Sequence, residues 1–523
     1  MITSPTEEQQ AIWAATRAPD SLMISAYAGT GKTSTLEYIA PQIKVPGLAL
    51  AFTKSIKEEL GKRFPGNFSV QTMNGLGYAS LRRALPMVNF QLDDKKLGKL
   101  ISHVLKENKV EASSEQWDGL RRLVSLAMLA GIVPGDAGAN PLTPDTPDDW
   151  WAIAEDGGFL RDDFLFLFPL ARETLEANNK LVRSGQVSFD DMVYYSTCIE
   201  PKGFPKFPVL LVDEAQDLSP LNHAMLQAAM RPDGRLIAVG DAKQAIYAFR
   251  GADSDSIGKI RALRGDWITL PLATTFRCPR LVVERQQSHA PGFKAWSGVK
   301  PGLFHKFRST WDEEGGELSG GDWNFRDLEA RLPSPEASLA VLCRNNGPLL
   351  GLAFKLIRQR ISVTMLGRDS GQDLRALARK LFSPDDNQER MLSILADWEM
   401  SETSLAVANG KEEKVNGISD RADCLRAVLS FAEVQDLKSL VAALRDLFSR
   451  ETGRVTLSSI HKAKGLEWDL VLHLDPWRIP SKWAKEAARK GNTRQLEQEK
   501  NLRYVCETRT RNVLLEADFK EFV

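Results

Sequence analysis

Short apolar runs bounded by turn-forming residues recur in two blocks of this chain, each run too brief for a helix. The first block holds Ser21–Ala26, Gly47–Phe52, Val209–Val212 and Leu236–Val239; the second holds Ala337–Cys343, Val455–Ser458 and Leu470–Leu474. Runs apolar at successive positions predict strands covered on both faces, the pattern of parallel sheets packed between helices. From Ser80 to about Gln186 the pattern is helical and contains Trp, with loop punctuation at Val133-Pro134-Gly135 and from Pro141 to Asp149. Gln372 to Arg450 is also helical in pattern. Each helical stretch interrupts a strand block and reads as an insertion. The expected fold is therefore α/β, with two parallel-sheet lobes and a helical insertion in each. Residues 1–80 and 187–273 form the first lobe, 81–186 its insertion, 274–371 and 451–523 the second lobe, and 372–450 a smaller insertion.

Composition narrows the class without naming it. Of 523 residues, 43% are hydrophobic and 26% charged, ordinary for a folded chain of several domains. Lys plus Arg equals Asp plus Glu at 68 each, so any nucleic-acid contact must come from a local surface, because the net charge gives none. Five scattered cysteines without a C-x-x-C pair argue against a disulfide framework, a zinc site or an iron–sulfur cluster. A polar, acidic N-terminus and the absence of any apolar run near about 18 residues predict a cytoplasmic protein that does not enter a membrane.

Chemistry first shows in Ala26-Tyr27-Ala28-Gly29-Thr30-Gly31-Lys32-Thr33, which follows a predicted strand and opens a helical pattern. Backbone N–H groups of such a turn cradle phosphate, Lys32 adds a point charge, and the Thr33 hydroxyl can ligate Mg²⁺. Ala26 stands where a first glycine is usual. Alone, the loop predicts only nucleotide binding. The strand Val209–Val212 then runs into Asp213-Glu214-Ala215-Gln216-Asp217. Asp213 at the strand end suits the metal, and Glu214 suits a base for attacking water, which separates hydrolysis from phosphoryl transfer to another acceptor.

These residues, with the segments that follow, resemble the UvrD/Rep/PcrA-like DNA helicases of superfamily 1A, in wording close to their compact F-box DNA helicase relatives. The resemblance covers both strand blocks and implies two RecA-like lobes. Pro5-Thr6-Glu7-Glu8-Gln9 looks like the adenine-reading motif, with Gln9 the base contact. Val239-Gly240-Asp241-Ala242-Lys243-Gln244 through Ala252 is the most diagnostic stretch; it implies a γ-phosphate sensor in Gln244 and DNA contacts in Tyr247, Phe249 and Arg250. An isolated Tyr-x-Phe alternation would be ordinary core, but aromatics beside a cation suit base stacking. Thr274-Thr275-Phe276-Arg277-Cys278-Pro279 looks like the motif whose aromatic stacks on adenine and whose arginine reaches phosphate; Phe276 replaces the usual Tyr and keeps the π-face. Weaker likenesses lie in Leu342-Cys343-Arg344 and Met365-Leu366-Gly367.

Val455 through Trp468 matches the family's long fifth motif, which implies nucleotide contacts at Gly465 and Glu467 and DNA contact at His461; Trp468 stands where Phe is common. A histidine taken singly would more often be packed or capping. Glu499 through Thr510 resembles the last motif, making Arg509 a second arginine finger beside Arg277. Phe52, Thr53 and Lys54, then Thr72 and Asn74, resemble DNA-contacting segments, Asn74 replacing a usual His; Phe189-Asp190-Asp191-Met192 resembles the return into the first lobe. Together the resemblance implies ATP and Mg²⁺ as ligands, catalytic roles for Lys32, Glu214, Gln244, Arg277 and Arg509, and nucleotide contacts from Ala28, Gly29, Thr30, Gly31, Thr33 and Phe276.

If the N-terminal residues lie on one lobe and Arg277 and Arg509 on the other, ATP would bridge the cleft and hydrolysis release it. The expected activity is ATP-dependent 3′→5′ translocation on single-stranded DNA with duplex unwinding, the polarity coming from resemblance alone. Two alternatives stay open: a translocase that strips bound proteins, and a DNA-gated ATPase switch. Expected partners are single strands, single-strand/duplex junctions and replication or repair proteins, with the chain monomeric in isolation. No fused nuclease is expected, since the last motif lies close to Val523. Trp477 and Trp483 are weak candidates for a strand-separating wedge, buried packing being the more ordinary reading of either.

Overall fold

A computed structural model describes residues 5–51, 53–135, 139–156, 159, 161–246, 255–307, 322–366, 368–408, 412–431, 433–449, 453–489 and 493–522. The chain divides into two compact units, residues 1–26 with 31–273, and residues 27–30 with 274–523. Both are α/β, each around a six-stranded sheet.

The first unit's sheet contains β1 (Ser21–Ala26), β2 (Gly47–Ala51), β3 (Phe68–Thr72), β4 (Phe207–Val212), β5 (Met230–Gly240) and β6 (Trp267–Leu272), in the order β3-β2-β4-β5-β1-β6. Every pairing is parallel. Strand alternation sends neighbouring residues into two cores. Leu22, Ile24, Leu211, Ile237 and Val239 pack with Ile12 of α1 (Glu7–Ala15) and with Leu36 and Ile39 of α2 (Lys32–Ile39). Met23, Leu50, Leu210, Val212 and Leu236 pack on the other face with Leu76, Met225 and Leu226. The two strands that apolar runs did not predict, β3 and β6, are the sheet's edges and mix polar with apolar residues.

Helices Lys96–Glu107, Ser114–Ala130, Pro147–Asp156 and Arg161–Arg183 gather around their own core of Leu120, Val124, Trp150, Phe164 and Leu175, shared with Tyr194 and Tyr195. Inside it Lys96 Nζ meets Asp191 Oδ2 at 2.5 Å, both side chains almost wholly buried. Asn178 Nδ2 donates to the same carboxylate at 2.7 Å, and so does the Ser188 backbone N–H, so the buried charge is fully hydrogen-bonded.

The second unit's sheet contains β7 (Leu303–Lys306), β8 (Leu339–Cys343), β9 (Val363–Met365), β10 (Val455–Ser459), β11 (Trp468–Leu474) and β12 (Thr510–Ala517), in the order β7-β12-β11-β8-β10-β9, again all parallel. The described residues of 372–450 lie mostly in helices, as their pattern predicts, yet most of their buried apolar side chains share one core with the sheet: Leu374, Met391, Leu395, Leu425 and Leu444 pack with Val341, Leu457 and Leu472. Among the described residues Ala406, Val415 and Ile418, where helices Gln388–Ala408 and Glu412–Leu429 meet, form a small cluster of their own, and Trp398 packs against both it and the main core. No helix among the described residues is long and apolar enough to cross a membrane.

Candidate nucleotide and nucleic-acid sites

In the first unit the glycine-rich turn after β1 opens directly into α2, whose N-cap Gly31 has φ +80°. Lys32 and Thr33 therefore occupy the first turn, where helix N–H groups and the macrodipole favour an anion. Thr33 Oγ1 donates to Asp213 Oδ2 at 3.0 Å, and Lys32 Nζ lies 3.7 Å from Glu214 Oε1. Glu214 takes the left-handed conformation at φ +51°, unusual for a residue with a side chain. Its backbone N–H donates to Asp213 Oδ1 at 2.8 Å, and Gln216 Nε2 donates to its carboxylate at 2.6 Å. Gln216 also reaches β5: its Oε1 accepts the Asp241 N–H at 2.9 Å. Asp241 in turn accepts from Gln244 Nε2 at 2.7 Å, which fixes Gln244 against the same cluster. Burial, then the adjacent Glu214 charge, push Asp213 up to about 6. A buried carboxylate facing a threonine hydroxyl, reluctant to ionise beside a like charge, fits a divalent cation whose field would relieve it.

Gln9 is buried on α1, and its Nε2 lies 3.8 Å from where a Cβ on Gly31 would stand, beside the phosphate loop. Its Oε1 meanwhile accepts the Thr6 N–H at 3.0 Å within a capping box. The position expected to read adenine is thus part of the capping box that starts α1.

Residues 27–30 of the loop pack with the second unit. Phe276 N–H donates to the Gly29 carbonyl at 2.9 Å, and Ala28 N–H donates to Tyr504 Oη at 2.9 Å. Thr30 is buried and its hydroxyl donates to the Tyr27 carbonyl at 2.9 Å. Gly29 has φ +69°, and a Cβ there would lie 2.6 Å from Arg277 Cβ, so glycine is required twice over. Arg277 donates through Nη1 to Glu467 Oε2 at 3.2 Å, while its buried Nε and Nη2 have no hydrogen-bond partner among the described residues. Leaving two guanidinium donors dry is costly unless a ligand meets them, which fits a phosphate at Gly29. Burial pushes the Glu467 carboxyl up, but Arg511 and Arg277 outweigh it and hold it below the usual range. Gly465 adopts φ +88° just before it. Phe276 is half-exposed against Trp296, with ring centroids 5.8 Å apart and a π-face available for stacking.

Arg509 is placed differently from a projecting finger. It is 1% exposed, and its Nε, Nη1 and Nη2 donate to Val505 O at 3.1 Å, Leu466 O at 3.3 Å and Thr508 Oγ1 at 3.3 Å. In this conformation its guanidinium is committed to the protein's own acceptors.

The expected DNA-contacting residues that are described cluster at strand C-termini. Thr53 and Lys54 follow β2 and Thr72 ends β3, its register neighbour. Both threonine hydroxyls cap helices, accepting from Ile56 N at 3.3 Å and Gly75 N at 3.1 Å. Lys54 is exposed, 4.0 Å from Glu58, and Asn74 Nδ2 donates to the Phe189 carbonyl at 2.8 Å. His461 is half-buried in the turn after β10. Phe52, Tyr247, Phe249, Arg250 and Gly367 lie outside the described residues, as does the side chain of Trp483. Trp477 corrects the expectation of burial: it is 57% exposed, because the turn Pro476–Arg478 carries it past the end of β11. Sequence reading missed Tyr504 and Gln216 as organisers of the site. Tyr504 lies 476 residues from Ala28, and no local spacing marks such a pair.

A phosphate loop between a parallel strand and a helix, with an acidic pair at the end of another strand of the same sheet, defines a P-loop nucleotide-binding protein. The chain belongs to the UvrD/Rep family of helicases: residues 6–262 match the UvrD/REP helicase N-terminal domain and residues 386–516 the UvrD-like helicase C-terminal domain. It is 26% identical to F-box DNA helicase protein 1 of Schizosaccharomyces pombe over 540 residues, covering 98% of this chain and 57% of that protein. It is 32% identical to the RecBCD enzyme subunit RecB of Mycolicibacterium smegmatis over 259 residues, 48% of this chain and 21% of that subunit. The ATP-dependent DNA helicase UvrD2 of Mycobacterium tuberculosis is 24% identical over 570 residues, 98% of this chain and 78% of the relative. The chain thus spans little more than half of the first of these proteins and about a fifth of the second.

Proposed function

We propose that this chain hydrolyses ATP and uses the free energy to move 3′→5′ along single-stranded DNA and unwind duplex ahead of it. The observation that carries the reading is the linked cluster of Lys32, Thr33, Asp213, Glu214, Gln216, Asp241 and Gln244 at the phosphate-binding helix start of the first unit. The polarity and the unwinding rest on the family and on relatives named as helicases.

Gln9 and Phe276 would hold adenine, Gly465 and Glu467 the ribose side, and Ala28 to Gly31 the phosphates. Thr33 and Asp213 would hold Mg²⁺, which when bound supplies positive charge against the phosphate oxygens. Glu214 orients and deprotonates the attacking water. The water oxygen bonds to the γ-phosphorus, the bond to the bridging oxygen breaks, and the water's proton passes to the Glu214 carboxylate. Lys32 and Arg277 stabilise the charge that develops, and Gln244, hydrogen-bonded to Asp241, reports the γ-phosphate to β5. Arg509 joins them only after exchanging a carbonyl partner. Thr53, Lys54, Thr72, Asn74 and His461 would contact DNA, with Phe52, Tyr247, Phe249 and Arg250 stacking or pairing along the strand.

Strand displacement with 3′-tailed and 5′-tailed duplexes tests the reading. Displacement of the 3′-tailed substrate alone, dependent on ATP, is the expected result. Single-strand-stimulated turnover without displacement would favour a protein-stripping translocase, and turnover indifferent to DNA would favour a switch.

A further inference from the structure

The chain is neutral overall, yet between Trp477 and Arg494 six cations stand against one carboxylate, Glu486. Two tryptophans, Trp477 and Trp483, lie within the same stretch. A charge run of this kind is usually a solvated face, so its placement decides whether it means more.

Trp477 stands three residues beyond the end of β11. Leu474 pairs in register with Cys343 of β8, and Cys343 pairs with Ser459 of β10, so these three strands end on one edge of the sheet. His461 follows Ser459 by two residues, two strand spacings from β11, or about 10 Å. Hydrogen bonds of Asp475 hold the turn that carries Trp477. Asp475 Oδ1 accepts the Phe519 N–H at 2.7 Å, its own N–H donates to Ala517 O at 2.9 Å, and its Oδ2 accepts Arg478 Nε at 2.8 Å. Arg478 then lies 4.5 Å from the Trp477 ring centroid, covering one face of the indole. The indole remains 57% exposed, an aromatic platform held by its own pedestal.

Helix Lys482–Arg489 follows directly. Buried Ala484 and the Ser481 hydroxyl, which accepts the Ala484 N–H at 3.2 Å, pin it inward. Lys482, Lys485 and Arg489 are exposed, spaced i, i+3 and i+7 along one face. Two carboxylates of the same unit are already engaged: Glu499 by Arg344 at 3.0 Å, and Asp420 by the Asn346 and Gly347 N–H groups at 2.8 and 3.0 Å.

We propose that Trp477 and the Lys482/Lys485/Arg489 face form an additional binding site for single-stranded nucleic acid, continuing the strand-end path marked by His461. A base stacks on the open face of Trp477 and the helix cations hold successive phosphates, a combination that binds without reading sequence. The inference rests on the function proposed above but concerns residues to which that reading gives no role.

The test is equilibrium binding of a fluorescent oligothymidylate across a salt series, with the full chain and melting temperature as a control for folding. Trp477→Ala should weaken binding about tenfold, and Trp477→Phe should restore most of it. Replacing Lys482, Lys485 and Arg489 together by Gln should lower the slope of log affinity against log salt by about 2. Wild-type affinity in Trp477→Ala with an unchanged slope in the triple variant overturns this site alone. A wild-type chain that does not bind the oligonucleotide sinks the proposed function as well.

Discussion

Arg277 and His473 show how burial turns single side chains into measurable quantities. Two of the Arg277 nitrogens are dry and unpartnered beside Gly29, so their value is realised only when phosphate charge arrives. Arg277→Ala should reduce ATP turnover by about 10³ to 10⁵ while nucleotide binding, measured by titration of a fluorescent analogue, changes far less. A turnover loss below tenfold would remove Arg277 from the catalytic set. His473 sits in β11, wholly buried, with neither ring nitrogen hydrogen-bonded among the described residues. Burial lowers its pKa to about 4, against the smaller opposing effect of Glu507 and with Arg503 and Arg285 adding to the lowering. The fold therefore keeps His473 neutral. Above about 6.5 it is neutral folded or unfolded, so its protonation leaves stability unchanged; as pH falls from there to about 4 only the unfolded chain takes the proton, so stability is lost across that window, by about 3 kcal/mol. His473→Leu should flatten that part of the pH dependence of urea midpoints, and equal slopes in the two chains would contradict the assignment.

Elements meet at distances that particular residues permit. Helices Met73–Ala84 and Phe189–Cys198 approach so closely at Gly77 that a Cβ there would lie 1.9 Å from the Met192 carbonyl oxygen. Backbone cannot yield as a flexible side chain can. Gly77→Ala should cost about 3 kcal/mol in denaturant unfolding, and a change within error would mean the helices can separate freely. The same scale shows which elements could be read from the sequence. β1, β2, β4 and β5 announced themselves as apolar runs because both their faces are covered. The edge strands β3 and β6, and the short β7 and β9, did not, because an edge or three-residue strand needs no continuous apolar run. The helical character of residues 372–450 was legible from periodicity. That most of this segment shares the sheet's core was not, since an amphipathic face does not say what it packs against.

At the scale of the whole molecule, two units with separate sheets and cores should not melt as one cooperative block. A nucleotide bound at Lys32 and Thr33 stabilises only the folded form of its site, by about 2.7 kcal/mol at a hundredfold excess over Kd. Calorimetry with a non-hydrolysable ATP analogue and Mg²⁺ should therefore raise a melting transition of the wild type and leave Lys32→Ala unmoved; an equal shift in both would place the nucleotide elsewhere. Neutral net charge sets a further expectation, that nucleic-acid affinity depends on local surfaces, not on a global field.

By itself the sequence determined the chemistry that is local along the chain. The spacing of Gly29, Gly31, Lys32 and Thr33, and the adjacency of Asp213 and Glu214, place the expected chemistry in a few consecutive residues, because a turn, a helix start and a strand end are made by neighbours. Tertiary structure alone decided what depends on residues distant in sequence: Tyr504 holding Ala28, Gln216 linking Glu214 to Asp241, Arg509 turned inward on carbonyls, and Trp477 left in solvent. Side-chain type fixes which bonds a residue can make, but only packing fixes which partners come within about 3 Å of it and which face water keeps.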